Sequence, residues 1–434
     1  MSPEMIGTLG IVLLLLLFLM KVPVSISLII VGTIGFGAIR GWEAGLVQLG
    51  TTPFSTASSY SLSVIPLFIL MGMFLSYSGF GRDLYQAVDA WLGHIKGGLA
   101  MTTIGTSALF SSISGSVNAT TATMAKISIP EMKKYNYDSG LSTASVAAGG
   151  TLGILIPPSV ILILYGVLTM ENVGELLIAG IVPGILQMVL FMSVIYYVVR
   201  KNPSLAPVSE KRTTNERLRG LMKIWPFLLL FGLSIGGIYF GYFTPTEAGA
   251  IGALGALVIT LCARRLSWHD FVTSLSETTR LTAMIFFILI GANIFSQFLA
   301  ISRIPAEVTA FVSQLDMSPF LILAVILLVY FVLGLFLEGI AIFVLTLPVV
   351  YPLITLLGFD GMWFGVIMVM VMNIGLITPP LGISVYVISG IAKVPIEKIF
   401  RGVTPMLVAM VLCLILLVLF PQLVTFLPDL MRGN

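Results

Sequence analysis

Between Val366 and Ile391 the chain carries no Lys, Arg, Asp or Glu, and the stretch is long enough to cross a bilayer. Near its middle stand Gly375, Pro379, Pro380 and Gly382. Proline lacks a backbone donor and clashes with the preceding helical turn. In hydrocarbon an unpaired backbone group costs several kcal/mol, so an interrupted helix survives there only where it lines a cavity or binds something. The chain repeats the device at residues 150–159, GTLGILIPPS. Two membrane helices must therefore break inside the membrane, and the rest of the fold must shelter the breaks.

Charge is scarce throughout. Only 9% of the 434 residues are charged and 58% are hydrophobic, with a mean hydropathy of +1.08, whereas soluble domains carry about 25% charge. A soluble surface of this size could not be covered, so the chain reads as an all-α integral membrane protein. The first twenty residues resemble a signal peptide only superficially: Glu4 makes the leading region acidic, Lys21 follows the apolar run, and no small-residue cleavage site appears. They read as a mature helix. Cys262 and Cys413 sit in apolar stretches and offer no disulfide or metal framework. His94 and His269 lack metal-motif spacing.

Apolar runs predict spans at 4–20, 22–39, 60–80, 139–169, 174–199, 224–241, 245–262, 281–301, 360–391 and 403–427. Two further stretches, 97–130 and 318–357, are too long for one crossing and have small residues near their middles. Each is either a crossing plus a loop or a hairpin that returns to its own side. Basic residues decide, because they concentrate on the cytoplasmic side. With both stretches re-entrant and the N-terminus outside, 19 of the 22 Lys and Arg fall inside, and only Arg40, Arg303 and Arg432 fall outside. The first hairpin then opens inward and the second outward.

The polar segment 200–223 divides the chain as a solvated cytoplasmic linker. FILMG (68–72) matches FILIG (287–291), and GILIPP (153–158) matches GLITPP (375–380). Residues 1–199 and 224–434 therefore read as two inverted repeats. The first holds a hairpin at 97–130 and a broken helix at 139–169. The second holds an arm at 266–280, a hairpin at 318–357 and a broken helix at 360–391. Residues 82–95 place Leu84, Val88, Trp91, Leu92 and Ile95 on one side at helical spacing, and 268–280 does the same with Trp268, Phe271, Val272 and Leu275. Both suit the membrane interface, as anchors or as arms joining a moving element to a fixed one.

A broken helix frees carbonyl oxygens, which are hard ligands suited to Na⁺, and exposes a half-helix N-terminus that attracts anions. The first hairpin tip, FSSISGSVNATTAT (110–123), adds hydroxyls and Asn118, more polarity than helix packing alone requires. The second, GLFLEGIAIF (334–343), carries Glu338, an intramembrane acid that can bind a cation, carry a proton or pair with a base. YFTPTEAGA (242–250) has the capping-box pattern, with Thr244 at the cap, Pro245 first in the helix and Glu247 third.

Together the GxxIPPS segment, its TPP counterpart, the SSISGS tip and TPTEAGA resemble the DctM-type large membrane subunit of tripartite ATP-independent periplasmic (TRAP) transporters, over essentially the whole chain. The resemblance implies an elevator-type, inverted-repeat secondary transporter of the ion-transporter superfamily, multi-pass in the bacterial inner membrane. It implies Na⁺-driven import of an organic acid, sialic acid and C4-dicarboxylates among the candidates. A periplasmic substrate-binding protein would deliver the acid, and a small four-helix membrane subunit on a separate chain would work alongside. Carried onto this sequence, one Na⁺ site falls on Ser111, Ser114, Gly115, Asn118, Gly153 and Ile156, and the other on Gly334, Gly339, Gly375 and Thr378. Ser116, Asn118, Glu338 and Asn373 are the expected substrate contacts. The alternative is a self-sufficient sodium–dicarboxylate symporter of the same architecture. An intramembrane enzyme lacks its paired acids or Ser–His pair, a passive channel would not need broken helices in inverted halves, and nothing suggests nucleic acid.

Overall fold

A computed structural model of the chain describes residues 1–207, 213–337 and 339–433, and among them every regular element is a helix. The first half runs α1 (Pro3–Leu19), α2 (Val24–Arg40), α3 (Trp42–Ala57), α4 (Val64–Tyr77), α5 (Phe80–Leu92), α6 (Gly98–Ser114), α7 (Val117–Lys134), α8 (Ser139–Thr151), α9 (Val160–Thr169), α10 (Val173–Ala179) and α11 (Ile181–Lys201). The second runs α12 (Thr214–Tyr239), α13 (Pro245–Cys262), α14 (Trp268–Ile301), α15 (Ile304–Ser313), α16 (Pro319–Phe336), α17 (Gly339–Leu356), α18 (Gly361–Ile377), α19 (Ile383–Ala392), α20 (Ile396–Leu419) and α21 (Gln422–Arg432). Eight helices among the described residues are long and apolar enough to cross a membrane.

The helices sort into two bodies by what they touch. A frame is built from α1–α4 with α12–α14, and an inner body from α6–α11 with α16–α21. Lipid is as apolar as leucine, so frame helices associate through close packing at small residues. A Cβ added at Gly32 or Gly35 of α2 would meet Ile294 or Phe298 of α14 at 2.8 or 2.3 Å, and one at Gly252 of α13 would meet Met71 of α4 at 2.6 Å. α13 starts with the expected capping box: the Thr244 N–H donates to Glu247 Oε2 (2.8 Å) and the Glu247 N–H to Thr244 Oγ1 (3.3 Å).

Three boundaries differ from the sequence reading. Residues 42–57 form α3, which hydropathy passes over because Glu43, Gln48 and Thr51–Thr52 dilute it. Its Gln48 Nε2 donates to the Ile294 carbonyl (3.2 Å), so a polar residue fixes it to the frame. The arm at 266–280 is not separate from span 281–301. A Ser267–Asp270 capping box opens α14, and no Gly or Pro interrupts it before Gly291. The linker 200–223 is not wholly solvated: Ala206 is buried, and the Asp138 N–H donates to the Leu205 carbonyl (2.9 Å), docking the linker on the start of α8.

α5 is the amphipathic helix expected, with Leu84 buried and Trp91 exposed. Its polar side is clamped to the frame. Asp83 pairs with Arg265, the Arg217 guanidinium lies 5.5 Å over the Trp91 ring, and Lys223 Nζ donates to Gln86 Oε1 (3.4 Å). α5 also packs on α6 and α7 of the inner body, so it bridges the two bodies.

Candidate functional site

The first break follows from local chemistry. α8 ends at Thr151, tightens into a 3₁₀ turn over Leu152–Ile154, and stops because Pro157 and Pro158 can donate nothing. The Pro157–Pro158 peptide is cis. α9 restarts at Ser159, whose hydroxyl accepts from the Leu162 N–H (3.3 Å). Among the described residues no backbone N–H donates to the carbonyls of residues 154–158. The whole break is sheltered: Pro157 and Pro158 are buried, and Gly180 and Gly184 of α10–α11 let the Leu155 carbonyl and the Ile156 side chain pack close.

The first hairpin tip seats on this break. Gly115 ends α6 at φ +57°, a conformation that suits glycine, and a Cβ there would lie 2.6 Å from the Pro158 carbonyl oxygen. A Cβ on Gly153 would lie 2.9 Å from the Ser116 carbonyl. Ser114 Oγ and Thr120 Oγ1 share a hydrogen bond of 2.6 Å across the turn, and the Ser116 hydroxyl caps α7 by accepting from the Ala119 N–H (3.5 Å). Ser111 donates its hydroxyl back to the Ser107 carbonyl (2.6 Å).

The second break is built alike and covered differently. α18 ends where Thr378 turns extended, with its hydroxyl donating to the Ile374 carbonyl (2.5 Å). Pro379–Pro380 follows, also cis, and Gly382 at φ +55° admits α19. No described N–H donates to the carbonyls of residues 376–381. The second hairpin touches this break backbone to backbone: a Cβ on Gly375 would lie 2.5 Å from the Gly334 carbonyl carbon. Gly339 instead faces Met372 and Ile161, so the second tip also reaches the helix that leaves the first break. Pro379, Pro380 and Leu381 remain exposed.

Asn373 joins the two broken helices. Its Nδ2 donates to the Thr151 carbonyl (2.9 Å), and Thr151 Oγ1 accepts from Gln187 Nε2 (3.0 Å). Asn373 is fully buried and is not among the residues lining the cavity described below; in this conformation it ties the two breaks together. The repeat offset that matches the Pro-Pro segments also carries Thr151 onto Asn373, and it carries Asp138 onto Asp360. Asp138 caps α8 by accepting from the N–H groups of Gly140 (2.8 Å) and Leu141 (3.1 Å), and Asp360 caps α18 by accepting from that of Trp363 (2.7 Å). Both pairs are legible in the repeat, but they lie outside the FILMG and GILIPP segments on which the halves are matched. Lys398 Nζ lies 3.0 Å from the second oxygen of Asp138. Burial opposes the Asp138 charge, but Lys398 and the two N–H groups outweigh it and hold its carboxyl below the usual range.

A cavity of about 420 Å³ lies where everything meets. Ser114, Gly115, Ser116 and Asn118 of the first tip line it, as do Ile154 of the first break, Gly339 of the second tip, and Met372 and Leu376 beside the second break. The frame closes it with Ile69, Gly72 and Ser76 of α4 and Leu281, Met284 and Ile285 of α14. Five expected residues thus share one cavity. Gly153, Gly334 and Gly375 stand at the two tip–break contacts, Ser111 and Thr378 are bonded within their own helices, and the Ile156 side chain turns to Gly184. Glu338 lies outside the described residues. The frame contribution, from the FILMG helix and from α14, was missed: apart from Ser76 its residues are apolar and look like ordinary span residues in sequence.

Residues 11–423 match the model of the family described as "Tripartite ATP-independent periplasmic transporter, DctM component". The chain is similar to the "C4-dicarboxylate TRAP transporter large permease protein DctM" of Pseudomonas aeruginosa, 37% identical over 87% of this chain and 88% of that one. It is also similar to the "Sialic acid TRAP transporter large permease protein SiaM" of Vibrio cholerae, 31% identical over 92% and 95%. Among solved structures it resembles the Alcanivorax borkumensis YdaH transporter, with a TM-score of 0.67 at 15% identity over 87% of this chain and 89% of that one, a likeness of fold.

Proposed function

Because the chain belongs to the DctM family, the large membrane component of tripartite ATP-independent periplasmic transporters, we propose that it imports a small organic acid with Na⁺ by carrying both across the membrane in its inner body. It is a multi-pass permease subunit for organic-acid uptake in the bacterial inner membrane, a transporter component rather than an enzyme. The cavity carries the finer reading. It is bounded by both hairpin tips, by the surroundings of both breaks and by the frame, so a load held there touches the two bodies whose relative motion would change its access.

One Na⁺ would sit between the first tip and first break, using the Ser111, Ser114 and Asn118 side chains with the backbone oxygens of Gly115, Gly153 and Ile156. The other would sit where Gly334 and Gly339 meet Gly375 and Thr378. Oxygen donors without formal charge suit a hard monovalent cation, and the unclaimed carbonyls of both breaks support that assignment. Ser116 and Asn118 at the α7 N-terminus then face the substrate carboxylate. The inner body moves against the frame as an elevator, with the two halves as inverted repeats. Each positive charge moved inward gains about 2.3 kcal/mol per 100 mV. The partners on this reading are a small four-helix membrane subunit on its own chain and a periplasmic substrate-binding protein, in keeping with a tripartite system. Uptake into proteoliposomes holding all three components tests it: import that continues undiminished when choline replaces Na⁺ sinks the sodium coupling.

A further inference from the structure

The cavity is two-faced. Its polar side chains are few, and Ser114, Ser116 and Asn118 of the first tip supply all but Ser76. The opposing walls are aliphatic: Val160 and Ile161 beyond the first break, Leu281, Met284 and Ile285 on α14, and Ile383 beyond the second break. Among the described residues lining it there is no Lys, Arg, His, Asp or Glu, and no aromatic ring. Its volume of about 420 Å³ is that of a small-molecule site.

This lining selects among organic acids. One carboxylate can be met at the first tip by the hydroxyl and amide groups and the α7 N-terminus. A second carboxylate on the α14 side would face Leu281, Met284 and Ile285, with no basic side chain among the described lining residues to pair it, and a buried unpaired charge is strongly disfavoured. A polyhydroxylated sugar acid would leave hydroxyls without partners along the same walls. An aliphatic tail has neither defect and removes its own apolar surface from water. We infer that the acid this chain carries has a single carboxylate and a short, branched aliphatic tail. The inference rests on the cavity being the transport site.

Thermal unfolding of the purified full chain separates the two ideas. The probes are isocaproate, succinate, N-acetylneuraminate and the uncharged isohexanol, each in NaCl and in choline chloride of equal ionic strength. Isocaproate should raise the midpoint saturably in Na⁺ and not in choline, with succinate and N-acetylneuraminate giving less than about a third of that shift and isohexanol none. Met284→Gln, at a half-exposed frame position, should weaken the isocaproate half-saturation about tenfold and leave any succinate response unchanged. Ile161→Thr on the opposite wall should act in the same direction and serves where the first variant does not fold. A larger Na⁺-dependent shift with succinate or N-acetylneuraminate overturns this inference and sustains the ion-coupled reading. Isohexanol matching isocaproate overturns it as mere partitioning of an apolar tail. No Na⁺-dependent shift with any carboxylate overturns both.

Discussion

The two Pro-Pro breaks have the same local cause and opposite surroundings. Pro157 and Pro158 are buried beneath the first hairpin tip, with α10 and α11 closing the far side through Gly180 and Gly184. Pro379, Pro380 and Leu381 are exposed, and among the described residues the second hairpin meets the helix before them, at Met372 and Gly375. Bare backbone cannot face hydrocarbon, and within this chain the second break lacks the cover that the first one has. Proline decides where a helix stops. Which neighbours then cover the stop is settled by packing, and here packing treats two equivalent positions differently. Their tips differ in chemistry too, hydroxyl-rich in the first and apolar around Gly334–Phe336 and Ile340–Phe343 in the second.

The hardest test of the comparison is steric. Gly153→Val and Gly375→Val each drive a side chain into backbone at 2.9 or 2.5 Å, where only main-chain movement can relieve the clash. Both should cut Na⁺-dependent uptake by about tenfold or more, since overpacking costs about 1–3 kcal/mol. Near-normal uptake by either would show that the corresponding tip does not seat on its break during transport. Accessibility comes next. In a Cys262→Ser background, a cysteine at Leu381 should react with an impermeant maleimide at least about tenfold faster than one at Leu155, which is fully buried. Equal rates would erase the distinction between a covered and an open break.

Side chains should divide the halves more gently. Asn118→Ala removes a cavity-facing amide and should raise the Na⁺ half-saturation of uptake about tenfold, the equivalent of one charge-assisted contact. Thr378→Val should shift it less than about threefold, because Gly334, Gly339 and Gly375 offer that site backbone oxygens that the variant leaves in place. If the two variants respond alike, the chemical asymmetry is not used.

The smallest effect separates the caps. Asp138 is held below its ordinary pKa, so its ion pair with Lys398 stabilises the fold above the unfolded value and is lost as pH falls through the lower folded value, below about pH 4. The pair is partly exposed, and solvent screening keeps its worth under about 1 kcal/mol. Asp138→Asn should therefore lower the unfolding midpoint slightly at pH 7 and by progressively less as the pH falls below about 4. Asp360→Asn should lower the midpoint slightly at pH 7 through a weaker contact to the Trp363 N–H. An equal loss in Asp138→Asn at low and neutral pH would show that the pair with Lys398 adds nothing.

Much of this was written along the chain. Scarcity of charge forces a membrane fold, because water cannot be faced without polar surface. Pro-Pro fixes where both helices break, and Thr244–Glu247 fixes where α13 begins, since each acts within one turn of backbone. The small polar residues of 110–123 mark the first tip for the same local reason. Other features depend on distant segments meeting. Asn373 has no visible partner in sequence until folding sets it against Thr151, and the apolar residues of α4 and α14 read as span filler until they wall the cavity. Whether a break is covered or open is likewise a matter of which helix packs beside it, and no local pattern encodes that. The sequence by itself determined the medium and the interruptions, through the chemistry of single residues and their near neighbours. Tertiary structure alone decided which oxygens, glycines and aliphatic walls share one space, because that depends on contacts between residues far apart in the chain.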